Sequence, residues 1–156
     1  MDQQEDLGAI ARAIIDANLY MVLGTADESG RPWVSPVYYA AAGYAEFFWV
    51  SSPEATHSRN IGARPQVSIV VFDSQVPIGT GQGVYMSAVA EELEGDDLDR
   101  GIEVFSRRSE AHGGKREWTV DDVRPSAPYR LYRATASEHS VLNPAVSPDQ
   151  RTPVTL

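Results

Sequence analysis

FFWVSSPEATHSRNIGARPQVSIVVF, residues 47–72, is the stretch on which the reading of this chain turns. Phe47, Phe48, Trp49 and Val50 are strand formers in an unbroken run. Ser52 stands where an N-cap belongs and Pro53 where the first helical residue belongs, because the N–H that proline lacks is orphaned there anyway. Pro65 disfavours helical geometry at Arg64, so the predicted helix stops near Ala63. From Val67 to Phe72 the apolar β pattern resumes. Between the two strands lie Ser51, Ser52, a helix start, His57 and Arg59. Free N–H groups and the positive dipole end of a helix attract phosphate, so this segment reads as an anion site. The competing roles are structural: Ser52 as a cap, and His57 packing on the face it shares with Ile61. Arg59 lies about 200° around the helix from His57, so the two do not converge automatically.

The flanking pattern extends this unit into a barrel. Residues 2–18 read as a helix, with Leu7, Ile10, Ala11 and Ile14 at helical spacing and Asn18 as its stop. A first strand covers 20–26, a turn Asp27-Glu28-Ser29-Gly30, and a second strand 32–40. Ala41-Ala42-Gly43 turns into the third strand, which ends at Val50. The fourth strand is 66–72, and a turn-rich loop of residues 73–83 leads to a fifth at 84–93. Gly95-Asp96-Asp97 opens a helix that places Leu98, Ile102 and Phe105 on one face. Residues 111–115 form a polar break, 118–123 an irregular or short helical segment, and 129–142 a sixth strand. The tail from Asn143 carries Pro144, Pro148 and Pro153 and is expected to be extended or partly disordered. This order predicts a six-stranded antiparallel barrel, mainly β, with helices packed outside.

The chain of 156 residues suits one domain, residues 1–156, and is long enough to bury roughly 70% of the surface its unfolded form exposes. Its net charge of −9 argues against nucleic acid, whose binding needs Lys and Arg against phosphate. No apolar run approaches the roughly 18 residues of a membrane span, and the acidic start MDQQED lacks the basic region of a signal peptide. Cysteine is absent, which removes disulfides, thiolate nucleophiles and cysteine metal sites; a cytoplasmic location is expected.

Other motifs lose to plainer readings. Gly79-x-Gly81-x-Gly83 feeds a strand, whereas a dinucleotide fingerprint opens a helix. His57, His112 and His139 lack the spacing of a helical zinc motif, so no metal is expected. No Gly-x-Ser-x-Gly elbow is present. Glu91, Glu92, Glu94, Asp96 and Asp97 read as a solvated strand end and helix start.

Three segments, Trp33-Val34-Ser35-Pro36-Val37-Tyr38, residues 47–72 and VYMSAVAEEL at 84–93, resemble the pyridoxamine 5′-phosphate oxidase-like flavin-binding split-barrel family. The match runs from about Tyr20 to Leu93. The resemblance implies a six-stranded antiparallel split β-barrel of the FMN-binding type and a homodimer with FMN in clefts between subunits. It implies that the backbone of Trp33, Val34, Ser35, Pro36, Val37 and Tyr38 lies along the isoalloxazine ring, and that Val50 and Ser51 lie near the ribityl phosphate. The family's usual Arg-Lys pair falls on Thr56 and His57, a departure at the phosphate end. A neutral histidine donates one hydrogen bond and becomes a cation only when the phosphate raises its pKa. Arg59, one turn beyond Thr56, is the candidate bidentate partner, with Ser51 and Ser52 beside it and His57 assisting.

Gln82 and Gly83 occupy the position from which such folds contact flavin across the subunit boundary, and Trp118 is placed over the ring from the second chain. The ending SPDQRTPVTL lacks the Trp and Arg-Leu-Ala-Pro of the vitamin enzyme, so pyridoxal phosphate synthesis is not expected. The implied function is a flavin-dependent oxidoreductase acting on a small organic molecule. The alternatives are a reductase using the deazaflavin coenzyme F420 and a non-catalytic flavin- or cofactor-binding protein. No catalytic acid or base is specified.

Overall fold

The structure, a computed structural model, describes residues 2–156. Helix α1 (Gln3–Ala17) is capped by Asp2, whose carboxylate accepts from the Gln4 N–H at 3.3 Å. It ends where the Asn18 side chain donates to the Ile14 carbonyl at 2.8 Å. The elements that follow are β1 (Tyr20–Ala26), β2 (Pro32–Tyr38), β3 (Ala40–Ala42), β4 (Glu46–Ser51), α2 (Thr56–Ala63), β5 (Gln66–Phe72), β6 (Gly83–Glu92), α3 (Gly95–Ala111), a 3₁₀ turn (Val120–Val123), β7 (Arg130–Leu142) and β8 (Arg151–Val154). Among the described residues no helix is long and apolar enough to cross a membrane.

All strand pairs are antiparallel, in the order β2-β1-β5-β6-β7-β4-β3, with β8 added beside β7. The six strands expected from the sequence are all present, and two short ones, β3 and β8, join them. One expectation changes materially. The run at 32–40 is not a single strand: it breaks at Tyr39 into β2 and β3, which lie at opposite ends of the sheet. Because one residue joins the two ends, the sheet curls into a split barrel.

The barrel interior holds Met21, Leu23, Phe47, Trp49, Ile69, Val71, Val84, Met86 and Tyr132, with Leu7, Ala11 and Ile15 of α1 packed into the same core. A second cluster, Phe48, Leu93, Leu98, Ile102, Phe105 and Leu131, lies between α3 and the outer side of β4 and β7. Strand β4 is therefore buried on both faces, which accounts for its unbroken apolar sequence. Trp118, expected over a partner's ligand, is half-buried and packs within its own chain edge-on against Phe105 and Tyr129 under the Arg116 guanidinium.

The helix expected to open at Ser52–Pro53 starts at Thr56. The Ser52 carbonyl accepts the Ala55 N–H at 3.2 Å and its hydroxyl accepts the Glu54 N–H at 3.1 Å. Pro53 thus takes the second place of a β-turn, which suits its fixed φ as well as a first helical position does. In the tail, β8 pairs with β7 from His139↔Val154 to Leu142↔Arg151, and Val154 is buried.

Helix α3 approaches the sheet at Gly101, where a Cβ would lie 2.9 Å from Leu131 Cδ2 and 3.0 Å from Phe48 Cε1. Overpacking of this kind costs about 1–3 kcal/mol, so Gly101→Val is expected to lower the urea unfolding midpoint despite the removal of a helical glycine. An unchanged midpoint would show that α3 can shift without loss.

Candidate functional site

Six polar side chains are buried among the described residues, and four of them, Thr25, His57, Ser58 and Asn60, meet at one corner of the barrel. Buried polar groups need hydrogen-bond partners, and each of the four has one. His57 Nε2 lies 2.9 Å from Ser51 Oγ. The Ser58 hydroxyl donates to the Ser52 carbonyl at 2.8 Å. Asn60 Nδ2 donates to Thr25 Oγ1 at 3.0 Å, and Thr25 in turn donates to the Trp33 carbonyl at 3.4 Å. Two threads of hydrogen bonds therefore tie α2 to the end of β4 and to the start of β2.

The first turn of α2 is open. Its N-cap is Ala55, which offers no side-chain acceptor, and no acidic residue occupies that turn. Its leading N–H groups thus lack a capping side chain, the condition under which a helix start favours an anion. Thr56 is exposed there. Arg59, also exposed, is ion-paired with Glu54 rather than free. Burial lowers the His57 pKa below the ordinary 6.5, so the imidazole is neutral near physiological pH. Val50 packs toward the α3 cluster while Ser51 faces the corner, as alternation along β4 requires.

The second part of the site is the free edge of β2. Bonds from Asp27 N to the Arg31 carbonyl (3.0 Å) and from Tyr39 N to the Leu19 carbonyl (3.1 Å) are in register with the Thr25↔Trp33, Leu23↔Ser35 and Met21↔Val37 pairs. Odd-numbered residues therefore direct their backbone groups to β1, and Pro32, Val34, Pro36 and Tyr38 direct theirs outward. Two of those four are prolines. The edge offers carbonyls at every outward position, but donors only at Val34 and Tyr38. It resists extension by another strand while remaining open to a ligand with its own donors.

Gln82 and Gly83 are not at this corner. Gly83 pairs with Phe72, at the end of β5 remote from α2, roughly 20 Å away along the strand. The Gln82 carboxamide accepts the Gly83 and Leu142 N–H groups (3.0 and 2.8 Å) and donates to the Leu142 carbonyl (2.7 Å), so it is committed to the backbone.

A feature not anticipated from sequence is a concavity of about 950 Å³ on the outer face of the sheet, reaching from Val34 to the tail. Of the predicted site residues only Val34 lines it. Its floor is the cross-strand row Gly24, Ser68 and Ser87, bordered by the row Val22, Val70 and Tyr85. The available signal was glycine in the interior of a strand, which marks a place where something approaches the backbone.

Residues 8–142 match the sequence profile of the pyridoxamine 5′-phosphate oxidase family. No curated protein matches the chain. Among solved structures, the heme storage protein HutZ from Vibrio cholerae is similar at 23% identity, covering 84% of this chain and 90% of that one, with a TM-score of 0.67. An F420 reductase is similar at 18% identity over 83% and 95% of the two chains, TM-score 0.62. A FAD-binding protein from Mesorhizobium loti is similar at 23% identity over 83% and 87%, TM-score 0.58. At these identities the structures share the fold.

Because the folded chain holds His57 below 6.5, the unfolded chain takes up its proton first on acidification. The stability contributed by the neutral ring is complete above about pH 6.5 and is lost as pH falls through the lowered value. Unfolding midpoints should decline from about pH 7 to about pH 5, and His57→Gln should flatten the decline. The remainder belongs to His112, shifted the same way by burial and by Arg108. An identical decline in His57→Gln would remove His57 from this linkage.

Proposed function

The chain belongs to the pyridoxamine 5′-phosphate oxidase-like split-barrel family, and we propose that within it this protein is an FMN-binding flavoprotein. It acts as an oxidoreductase on a small organic molecule, as a homodimer with the cofactor in clefts between subunits. The single observation that supports the reading best is the hydrogen-bond thread from Asn60 through Thr25 to the Trp33 carbonyl. It holds an uncapped helix start and an unpaired strand edge in one fixed arrangement, a phosphate seat beside a backbone ledge.

A bound flavin supplies the ring that accepts and releases a hydride or electrons. The residues of this chain supply the holding. The first-turn N–H groups of α2 and the Thr56 hydroxyl meet the phosphate. The outward N–H groups of Val34 and Tyr38 would serve acceptor atoms of the ring, and one of the outward carbonyls of Pro32, Val34 and Pro36 would serve its single N–H. When Nε2 of His57 carries the imidazole proton it donates to Ser51 Oγ, which frees the Ser51 O–H for a phosphate oxygen. Ser52 holds the turn before α2. Gln82, with its Oε1 and one Nε2 hydrogen taken by the backbone, keeps one N–H for a ligand held across the subunit boundary, and Gly83 contributes only backbone.

Arg59 decides how strongly the phosphate is held. An exposed pair such as Arg59–Glu54 is worth only about 0–1 kcal/mol, so its release costs little, and a phosphate with two or more negative oxygens offers the guanidinium a bidentate partner of higher charge. The exchange of Glu54 for a phosphate therefore favours the ligand. A second reading, a reductase using the deazaflavin coenzyme F420, is favoured by the 950 Å³ concavity beside Val34, which leaves room for a longer cofactor. Non-catalytic storage of a flavin is the third.

The absorption spectrum of the purified protein, with identification of the molecule released by heat, tests these readings. FMN supports the first, and a colourless protein that binds only the deazaflavin replaces it with the second. FMN that no nicotinamide donor reduces and no acceptor reoxidises supports storage. By FMN fluorescence titration, Arg59→Ala should weaken binding about tenfold and Glu54→Gln should tighten it. Equal affinities in both variants would remove Arg59 from the site. Phosphate binding should raise the His57 pKa, so FMN affinity should increase as pH falls from about 8 to about 6.5.

A further inference from the structure

A second recess, of about 280 Å³, lies between the start of β1, the end of β2 and the end of α3. Tyr20, Tyr38, Ser109, His112 and the Gly113–Gly114 turn line it. We propose that this recess is a separate ligand site that takes a small aromatic carboxylate.

The Tyr38 hydroxyl and His112 Nδ1 are 2.8 Å apart. A phenol and a neutral imidazole hold two exchangeable protons, and the bond between them uses one. Whichever group donates, the other proton, on Nε2 or on the phenol oxygen, has no partner among the described residues. The pair is a hydrogen-bond donor awaiting an acceptor, in either tautomer. Its geometry is fixed by edge-on packing of the Tyr38 ring against Phe105 at 5.6 Å, His112 at 5.9 Å and Tyr20 at 6.1 Å.

Arg108 does not line the recess but stands one helical turn before His112 on the same face of α3, and it sets the preferred charge of the ligand. The Arg108 Nε is buried without a partner, and the residue takes part in none of the ion pairs among the described residues. Burial and then the Arg108 charge disfavour protonation of His112, while burial holds the Tyr38 phenol protonated and Arg108 offsets only part of that. The negative pole of α3 does not oppose an anion, because the carbonyls of Arg108, Ser109 and Glu110 already accept from the N–H groups of residues 112–114.

Size and shape select the rest. The volume falls near the lower limit for small-molecule pockets, about 300 Å³, which suits one ring rather than a fused tricycle or a tetrapyrrole. The exposed Tyr20 ring offers it a stacking wall. The recess is lined by this chain and shares Tyr38 with the proposed cofactor ledge, which uses that residue's backbone N–H, whereas the recess uses its side chain.

Benzoate is the probe. The chain has three histidines, and ¹³C-histidine labelling resolves each, with His112 assigned from its loss in His112→Gln. Benzoate should move the His112 signal saturably while those of His57 and His139 stay in place. Tyr38→Phe, which keeps the ring packing, and Arg108→Gln should each weaken binding by about tenfold, and neutral benzyl alcohol should bind at least that much more weakly. If Tyr38→Phe fails to fold, Arg108→Gln and benzyl alcohol still decide. The proposal is overturned by no saturable shift up to about 50 mM benzoate, by equal binding of benzyl alcohol, or by unchanged affinity in the folded variants.

Discussion

One residue closes this protein. Strands β2 and β3 lie at opposite ends of the sheet and are joined by Tyr39 alone, so the two ends must come within a residue's reach, about 3.8 Å per Cα step. Tyr39 secures that closure with bonds made in a buried setting. Its N–H donates to the Leu19 carbonyl at 3.1 Å and its hydroxyl to the Ile15 carbonyl at 2.6 Å. Its ring packs on Phe47. Burial pushes the phenol far above its usual pKa, so it remains a donor. The Ile15 bond also fixes the end of α1 against the barrel. Everything at the α2 corner depends on this closure, because β4 and β1 could otherwise separate.

Strands 20–26 and 66–72 were legible to the residue because alternation and the adjoining proline, glycine and aspartate agree there. The break at Tyr39 was not. Residues 38–40 continue an apolar run, and nothing local records that a strand's neighbour has changed. The start of α2 was misread because Ser-Pro satisfies a helix cap and a β-turn equally. The choice is made by the Ser52 carbonyl, which the turn and Ser58 both use. At the site, the packing and polar roles of His57 turn out to be one role: the ring is buried because Ser51 satisfies it. The importance of Asn60 and Thr25 was invisible, since their bond spans 35 residues.

Charge is distributed sparingly in this acidic chain. Arg133 faces Glu46, Glu91 and Asp97 together, and Arg100 shares Glu46. Arg130 spends its guanidinium on the carbonyls of residues 125, 127 and 129. With most arginines engaged in this way, an unengaged one carries information that a raw count of basic residues does not.

The Gln82 side chain, by reproducing a backbone pair between β6 and β7, finishes the ladder from outside the strand. The hairpin loop at 73–81 therefore leaves from a base held on both sides, by the Phe72↔Gly83 pair to β5 and by the Gln82 clamp to β7. Loop closure grows costlier by only about 0.6 kcal/mol for each doubling of length. This hairpin is thus the place where the chain can be lengthened or exchanged, by evolution or by an engineer, with the barrel left intact.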